Sequence, residues 1–289
     1  MKPIIFVFAL FLAVHFVAAQ NPNPQPTKPA QFDEGTISGL GIRNIGPARP
    51  SGRIAAIAAT NIDNKTLVFV GAASGGVWKS EDGGTTFKPV FDNQNVQSIG
   101  AVTIDPSNPK IVWVGTGESW TRNSVSVGDG IYKSVDGGET WTHMGLEQSE
   151  RIVKILVDPK NHDTVYACAP GKLWSDSADR GLYKTTDGGK TWNQILKGSN
   201  LSTGCSGLSM DAQNSSVLIA GLWDLRRKGW SFRSGGDGPN AVSGSGLFRT
   251  SDGGKTWTEF QAGKNGLPGS FQFLKESLRK QLHTVAFIF

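Results

Sequence analysis

The sequence predicts an all-β fold made of four repeated four-stranded units, and three observations carry that expectation. Glycine makes up 37 of 289 residues, nearly double the usual share, so tight turns must be frequent. Lys, Glu and Leu never build a long helical period, which leaves short strands joined by turns. A twelve-residue segment recurs four times without gaps, at 76–87, 130–141, 181–192 and 246–257.

Each copy reads Gly, two apolar or aromatic residues, a base, Ser or Thr, any residue, Asp-Gly-Gly, any residue, Thr, and an aromatic. The apolar stretch is one strand of a hairpin and Asp-Gly-Gly is its turn, where Gly tolerates positive φ and the Asp carboxylate accepts loop N–H groups. Thr and the aromatic open the return strand. A second hairpin precedes each copy: in the second repeat 98–105, the turn Pro106-Ser107-Asn108-Pro109, then 111–115. The third repeat gives 151–158 and 164–169, and the fourth 206–211 and 217–222. Two hairpins make a four-stranded unit of about 50 residues, the size of a propeller blade. The blades are expected at about 53–90, 98–144, 151–196 and 203–260. Their turn carboxylates, Asp82, Asp136, Asp187 and Asp252, are spaced by 54, 51 and 65 residues.

Residues 1–19 read as a signal peptide, with Lys2, an apolar run from Ile4 to Val17, and Val17-Ala18-Ala19 before cleavage at Gln20. The run is shorter than the roughly 20 residues of a membrane span, and no Cys follows it to carry a lipid. A secreted or periplasmic protein with no span after signal removal is therefore expected. The Pro-rich stretch 20–40 reads as an extended linker. Export makes a disulfide between Cys168 and Cys205 chemically possible, although two buried free thiols are the more ordinary expectation. The four His are scattered and neither Cys has partners at metal-ligand spacing, so no metal and no cofactor is expected. The charge of +5 is spread along the chain, which speaks against a nucleic-acid partner.

The four copies are identified as Asp-box repeats. From Asn44 to about Pro268 the chain resembles the N-terminal part of large secreted bacterial proteins of the sortilin and oligoxyloglucan-hydrolase type, commonly labelled glycosyl hydrolases. The resemblance implies a β-propeller with more than four blades, here spanning 41–268. It also implies that the boxes lie on the outer hairpins, on the face away from the ligand. That agrees with a structural role: four copies on four blades cannot share one site, and one carboxylate per loop is too few for calcium. Gly41 to Pro47 reads like the strand that completes the last blade of such propellers. The periodicity stops after Leu267, so 269–289 is expected to be an atypical tail left by truncation or a frameshift.

The opposite face is expected to be built by the loops before each box, which lengthen along the chain: Ala73-Ser74-Gly75, then 118–129, 170–180 and 224–245. Binding residues concentrate on such loops. The candidates are Trp120, Arg122, Trp174, Arg180, Trp223, Arg226, Arg227 and Trp230, a mixture of aromatic faces and cations that suits a glycan or an extracellular peptide. The alternative is that the tryptophans pack the loops and the charges are solvated. Two enzyme readings can be tested on the letters. Sialidases carry Arg-Ile-Pro where this chain has Arg53-Ile54-Ala55, and Tyr132, Tyr166 and Tyr183 all fall on predicted strands. The resembling hydrolases place a catalytic Asp in the first blade where this chain has Ala73. Hydrolysis would then need another carboxyl pair about 5 to 9.5 Å apart, with Glu118, Asp176 and Asp224 as candidates.

Overall fold

The computed structural model describes residues 53–229, 231–235 and 242–261. The predicted signal, linker, strand 41–47 and tail, and Trp230, lie outside the described residues. Four antiparallel sheets follow one another along the chain, each in simple up-and-down order. The first contains β1 (Ile54–Ile62), β2 (Lys65–Ala72), β3 (Val77–Ser80) and β4 (Lys88–Pro89). The second contains β5 (Ile99–Ile104), β6 (Val112–Thr116), β7 (Ile131–Ser134) and β8 (Thr142–His143). The third contains β9 (Lys154–Asp158), β10 (Asn161–Ala169), β11 (Gly181–Thr185) and β12 (Asn193–Leu196). In the fourth, β13 (Thr203–Met210) and β14 (Leu218–Lys228) are followed by β15 (Ser231–Ser234), β16 (Gly246–Thr250) and β17 (Thr258–Glu259). Among the described residues the one helical element is a 3-10 turn at Glu147–Ser149. None of their helices is long and apolar enough to cross a membrane.

The first strands β1, β5, β9 and β13 lie side by side in chain order. Strand β5 is buried at nearly every position because sheets cover both of its faces. Three apolar cores fill the spaces between neighbouring sheets. Phe69, Phe91, Ile99, Val112 and Val114 form one, Trp113, Ile131, Ile152, Ile155 and Val165 the next, and Tyr166, Leu182, Leu208, Leu218 and Leu222 the third.

Two expectations are corrected. The stretch from Asp224 onward was expected to be loop, but β14 continues through Lys228 and pairs with β15, from Leu225↔Ser234 to Lys228↔Ser231. The extension has acceptors waiting for it: the Leu225 and Arg227 N–H groups bond the Ser202 and Leu173 carbonyls, each at 3.0 Å. The Trp223 and Phe232 rings meet across the hairpin with centroids 5.5 Å apart, tilted by 59°. The expectation of two free thiols also fails. Cys168 on β10 and Cys205 on β13 are disulfide-bonded, with Cα atoms 5.1 Å apart, so a covalent bond joins the third sheet to the fourth.

The repeated letters hold each turn together and fasten it to the preceding sheet. In the first box Ser80 Oγ donates to Asp82 Oδ1 at 2.7 Å and accepts the Gly84 N–H at 2.8 Å. Asp82 also takes the Thr86 N–H at 2.9 Å and its hydroxyl at 2.6 Å. Asp136, Asp187 and Asp252 repeat this pattern with Thr140, Thr191 and Thr256. The box base reaches forward: Lys79 to Glu139 at 3.2 Å, Lys133 to the Gly188 carbonyl at 3.2 Å, Lys184 to the Gly253 carbonyl at 2.8 Å. The box tryptophan reaches back, Trp141 Nε1 to the Val90 carbonyl and Trp192 Nε1 to the Met144 carbonyl, both at 2.7 Å. A Cβ on Gly189 (φ +97°) would sit 2.8 Å from the Trp113 ring on the preceding sheet, so this turn requires glycine for contact as well as for conformation.

Two outcomes are expected. The Thr86 hydroxyl and N–H, with Ser80, hold the Asp82 carboxyl at about 2, and Thr140 does the same for Asp136, against an ordinary value of 3.8. Because the folded value is depressed, the stability these boxes contribute is complete above the unfolded value and is lost as pH falls toward about 2. Thermal midpoints measured from about pH 5 downward should drop through this window, and Asp136→Asn should remove part of the drop; an unchanged slope in the variant would contradict the role. Among the described residues the buried Trp257 Nε1, unlike that of Trp192, meets no partner. Trp192→Phe should therefore cost about 1 kcal/mol more than Trp257→Phe in urea unfolding, and equal costs would count against the stitch.

Candidate functional site

In each sheet the box turn follows the third strand and the variable connection precedes it, so the two sit at opposite ends of that strand. The loop end is capped by a small core of its own, in which Leu173, Trp223 and Leu225 are buried against Val125. Arg180, expected to bind ligand, is only 2 % exposed. Its guanidinium bonds the carbonyls of Pro170 at 2.8 Å, Ser202 at 3.0 Å, Ser175 at 3.3 Å and Lys172, which makes it the strut of the 170–180 loop. Burial lowers its pKa to about 10, against the pull of Asp224. Arg227 ties two connections together: its Nε donates to the Thr121 carbonyl at 2.7 Å and its guanidinium lies over the Phe232 ring.

The three candidate carboxylates each have a separate engagement. Glu118, fully buried, is gripped by Arg53 through Nε at 2.8 Å and Nη2 at 2.5 Å. Asp176 pairs with Arg226. Asp224, also fully buried, accepts from Ser202 Oγ at 2.7 Å, Asn200 Nδ2 at 3.0 Å and the Gly244 N–H at 3.2 Å, with Arg233 at 3.5 Å. Ala73, at the position of the resembling hydrolases' catalytic Asp, is 1 % exposed and bonds its N–H to the Arg53 carbonyl at 2.8 Å.

Two of the predicted aromatics meet in one cavity of about 250 Å³, Trp120 and Trp223, together with Ile54, Arg151, Leu173 and Leu225. A second, more open hollow of about 390 Å³ takes Asp176 and Arg226 with Asn200, Leu201, Arg233 and Val242. Trp174 and Arg122 are exposed and line neither. Sequence reasoning missed Arg151, placed there only as the start of a strand. The signal was present: in register, the residues that open the four first strands are Arg53, Ser98, Arg151 and Gly204, so an arginine recurs in repeats one and three. Arg151 is 3 % exposed, and burial lowers its pKa while Glu150 and Glu118 oppose the shift.

The family described as "Sortilin, neurotensin receptor 3" matches this chain at residues 75–200 and 129–284, together most of its length. The chain belongs to the sortilin family. Among relatives of this sortilin-family chain, a xyloglucanase of Hypocrea jecorina is 27% identical over 222 residues, covering 69% of this chain and 24% of that protein. A probable oligoxyloglucan-reducing end-specific xyloglucanase of Neosartorya fischeri is 32% identical over 130 residues, 40% of this chain and 14% of that protein. The chain thus spans a quarter or less of the length of these two relatives. An ancestral GH74 enzyme matches in structure with a TM-score of 0.57 at 20% identity, over 74% of this chain and 26% of that one, a likeness of fold.

Because both oxygens of Glu118 are committed to Arg53, Glu118→Gln should act as a loss of structure. With Arg53 about a third exposed, the cost is expected at about 1 to 3 kcal/mol. Urea unfolding of the variant measures it, and an unchanged stability would contradict the assignment.

Proposed function

We propose that this chain presents a glycan-binding face of a secreted, larger propeller, and that it binds without hydrolysing. The observation that carries the reading is the cavity shared by Trp120 and Trp223 at the end of the sheets away from the Asp boxes. Trp120 is 39 % exposed, and the relatives named as xyloglucanases support a carbohydrate ligand. Binding is favoured over turnover because Ala73 has a methyl where general acid or base help would be needed, and because Glu118, Asp176 and Asp224 are held by other partners. A larger ring is favoured by the exposed outer faces of the end sheets, with Ile57 at 66 % and Phe87 at 42 % on one and Ile219 at 39 % on the other. Export rests on residues 1–19.

Calorimetry on a panel of neutral and acidic oligosaccharides tests the reading, with product analysis alongside. Trp120→Ala should weaken binding of the best ligand about tenfold, the value of one well-placed aromatic contact, with no cleavage in either protein. Absence of any glycan binding would sink the proposal, as would turnover of any of these glycans by the unaltered protein.

A further inference from the structure

The three junctions between neighbouring sheets are built from the same register positions, and each end of the array carries one half of such a junction. On the side toward the next sheet, Phe69, Trp113 and Tyr166 stand opposite the box bases Lys79, Lys133 and Lys184, and all three rings are buried. In the fourth sheet this pair is Ile219 and Arg249. Ile219 is 39 % exposed, and Arg249 is exposed as well. On the side toward the preceding sheet, Val102, Ile155 and Leu208 pair with the residue after that ring position and are buried in the three cores. Their counterpart in the first sheet is Ile57, 66 % exposed.

The box turns show what fits these two ends. A Cβ on the first glycine of the second, third and fourth boxes, Gly137, Gly188 and Gly253, would lie 3.7, 3.3 and 3.5 Å from the base nitrogen of the preceding sheet. Lys133 and Lys184 donate to the carbonyls of that same glycine. On Gly83 of the first box the added Cβ meets nothing within 4 Å. Trp141 and Trp192 lay their rings edge-on against Phe91 and Trp113 of the preceding sheet, whereas Phe87, at the same box position, is 42 % exposed. Among the described residues Arg249 bonds to no acceptor. The chain therefore ends on a base and an apolar side chain made for a box turn, and starts on a box turn that seats neither.

We propose that two copies of this chain join head to tail, the fourth sheet of each lying on the first sheet of the other. Arg249 of one copy then donates to the Gly83 carbonyl of the second, and Ile219 is covered by the Gly83-Gly84 turn and Phe87. The occupant is a second copy because the surface that completes the fourth sheet is this chain's own repeat, and the three internal junctions already display the fit. The contact is heterologous, and each copy offers one surface of each kind. Two copies of four sheets thus make two identical junctions and close a ring of eight, within the common range for propellers. The proposal rests on the larger-ring part of the reading above and is independent of its glycan.

Sedimentation equilibrium of the full chain over a range of concentrations should give a mass that rises from one copy to two and stops there. Ile219→Glu and Ile57→Glu change exposed positions and should leave the circular dichroism as it was. Each should weaken self-association on the order of a hundredfold, because the junction would bury a carboxylate without a partner. Mixed together, the two variants keep one intact junction, so a dye-labelled sample of either should sediment with the other more strongly than with itself. Should a variant fail to fold, the mass of the unaltered chain still decides. A single-copy mass at every concentration would overturn the proposal and leave glycan binding to its own calorimetry. Pairing lost in one variant and untouched in the other would mean that two identical faces meet, which would overturn it too. A mass that keeps growing beyond two copies would overturn the closed ring.

Discussion

A four-stranded sheet with two apolar faces cannot stand alone in water, and the rest of this structure follows from how that constraint is met. Each inner sheet lays one face on its predecessor and the other on its successor, so burial is shared between neighbours. The three inter-sheet cores are the outcome. Apolar burial is non-directional and fixes no register. Register comes from the box hairpin, whose lysine reaches forward and whose tryptophan reaches back.

This accounts for the repeat letter by letter. The Asp, the Ser or Thr and the closing Thr serve the turn itself, while the base, the second glycine and the aromatic serve the neighbouring sheet. The carboxylates act as acceptors for N–H and O–H groups that a surface turn would otherwise leave to water. Their depressed pKa values are the imprint of those bonds and not a sign of chemistry. The fourth sheet departs from the scheme in two ways: Trp257 lacks its stitch, and a disulfide joins the same pair of sheets.

At the loop end, charge is arranged differently. Cations are buried with backbone carbonyls or single carboxylates as partners, and they shape the loops before they could serve any ligand. Arg180 and Arg227 are spent in this way. Among the described residues Arg151 is the departure, with its buried Nε and Nη2 unbonded.

The sequence alone determined the strand order, the four turns and the structural role of Asp82, Asp136, Asp187 and Asp252, because these depend on local hydrogen bonds that recur with the repeat. It also named Trp120 and Trp223, which line one cavity, since long connections on a rigid scaffold are legible from spacing. Only the tertiary structure decided which charges are available. Arg180 and Glu118 read as surface groups in a loop, yet Glu118 pairs with Arg53, 65 residues away, and Arg180 reaches Ser202, 22 residues away, besides three carbonyls of its own loop, and no local pattern announces the distant pairings. The course of β14 beyond Trp223 and the Cys168–Cys205 bond were settled in the same way: both require acceptors or thiols brought close by the packing of one sheet on the next, a distance that the order of residues does not contain.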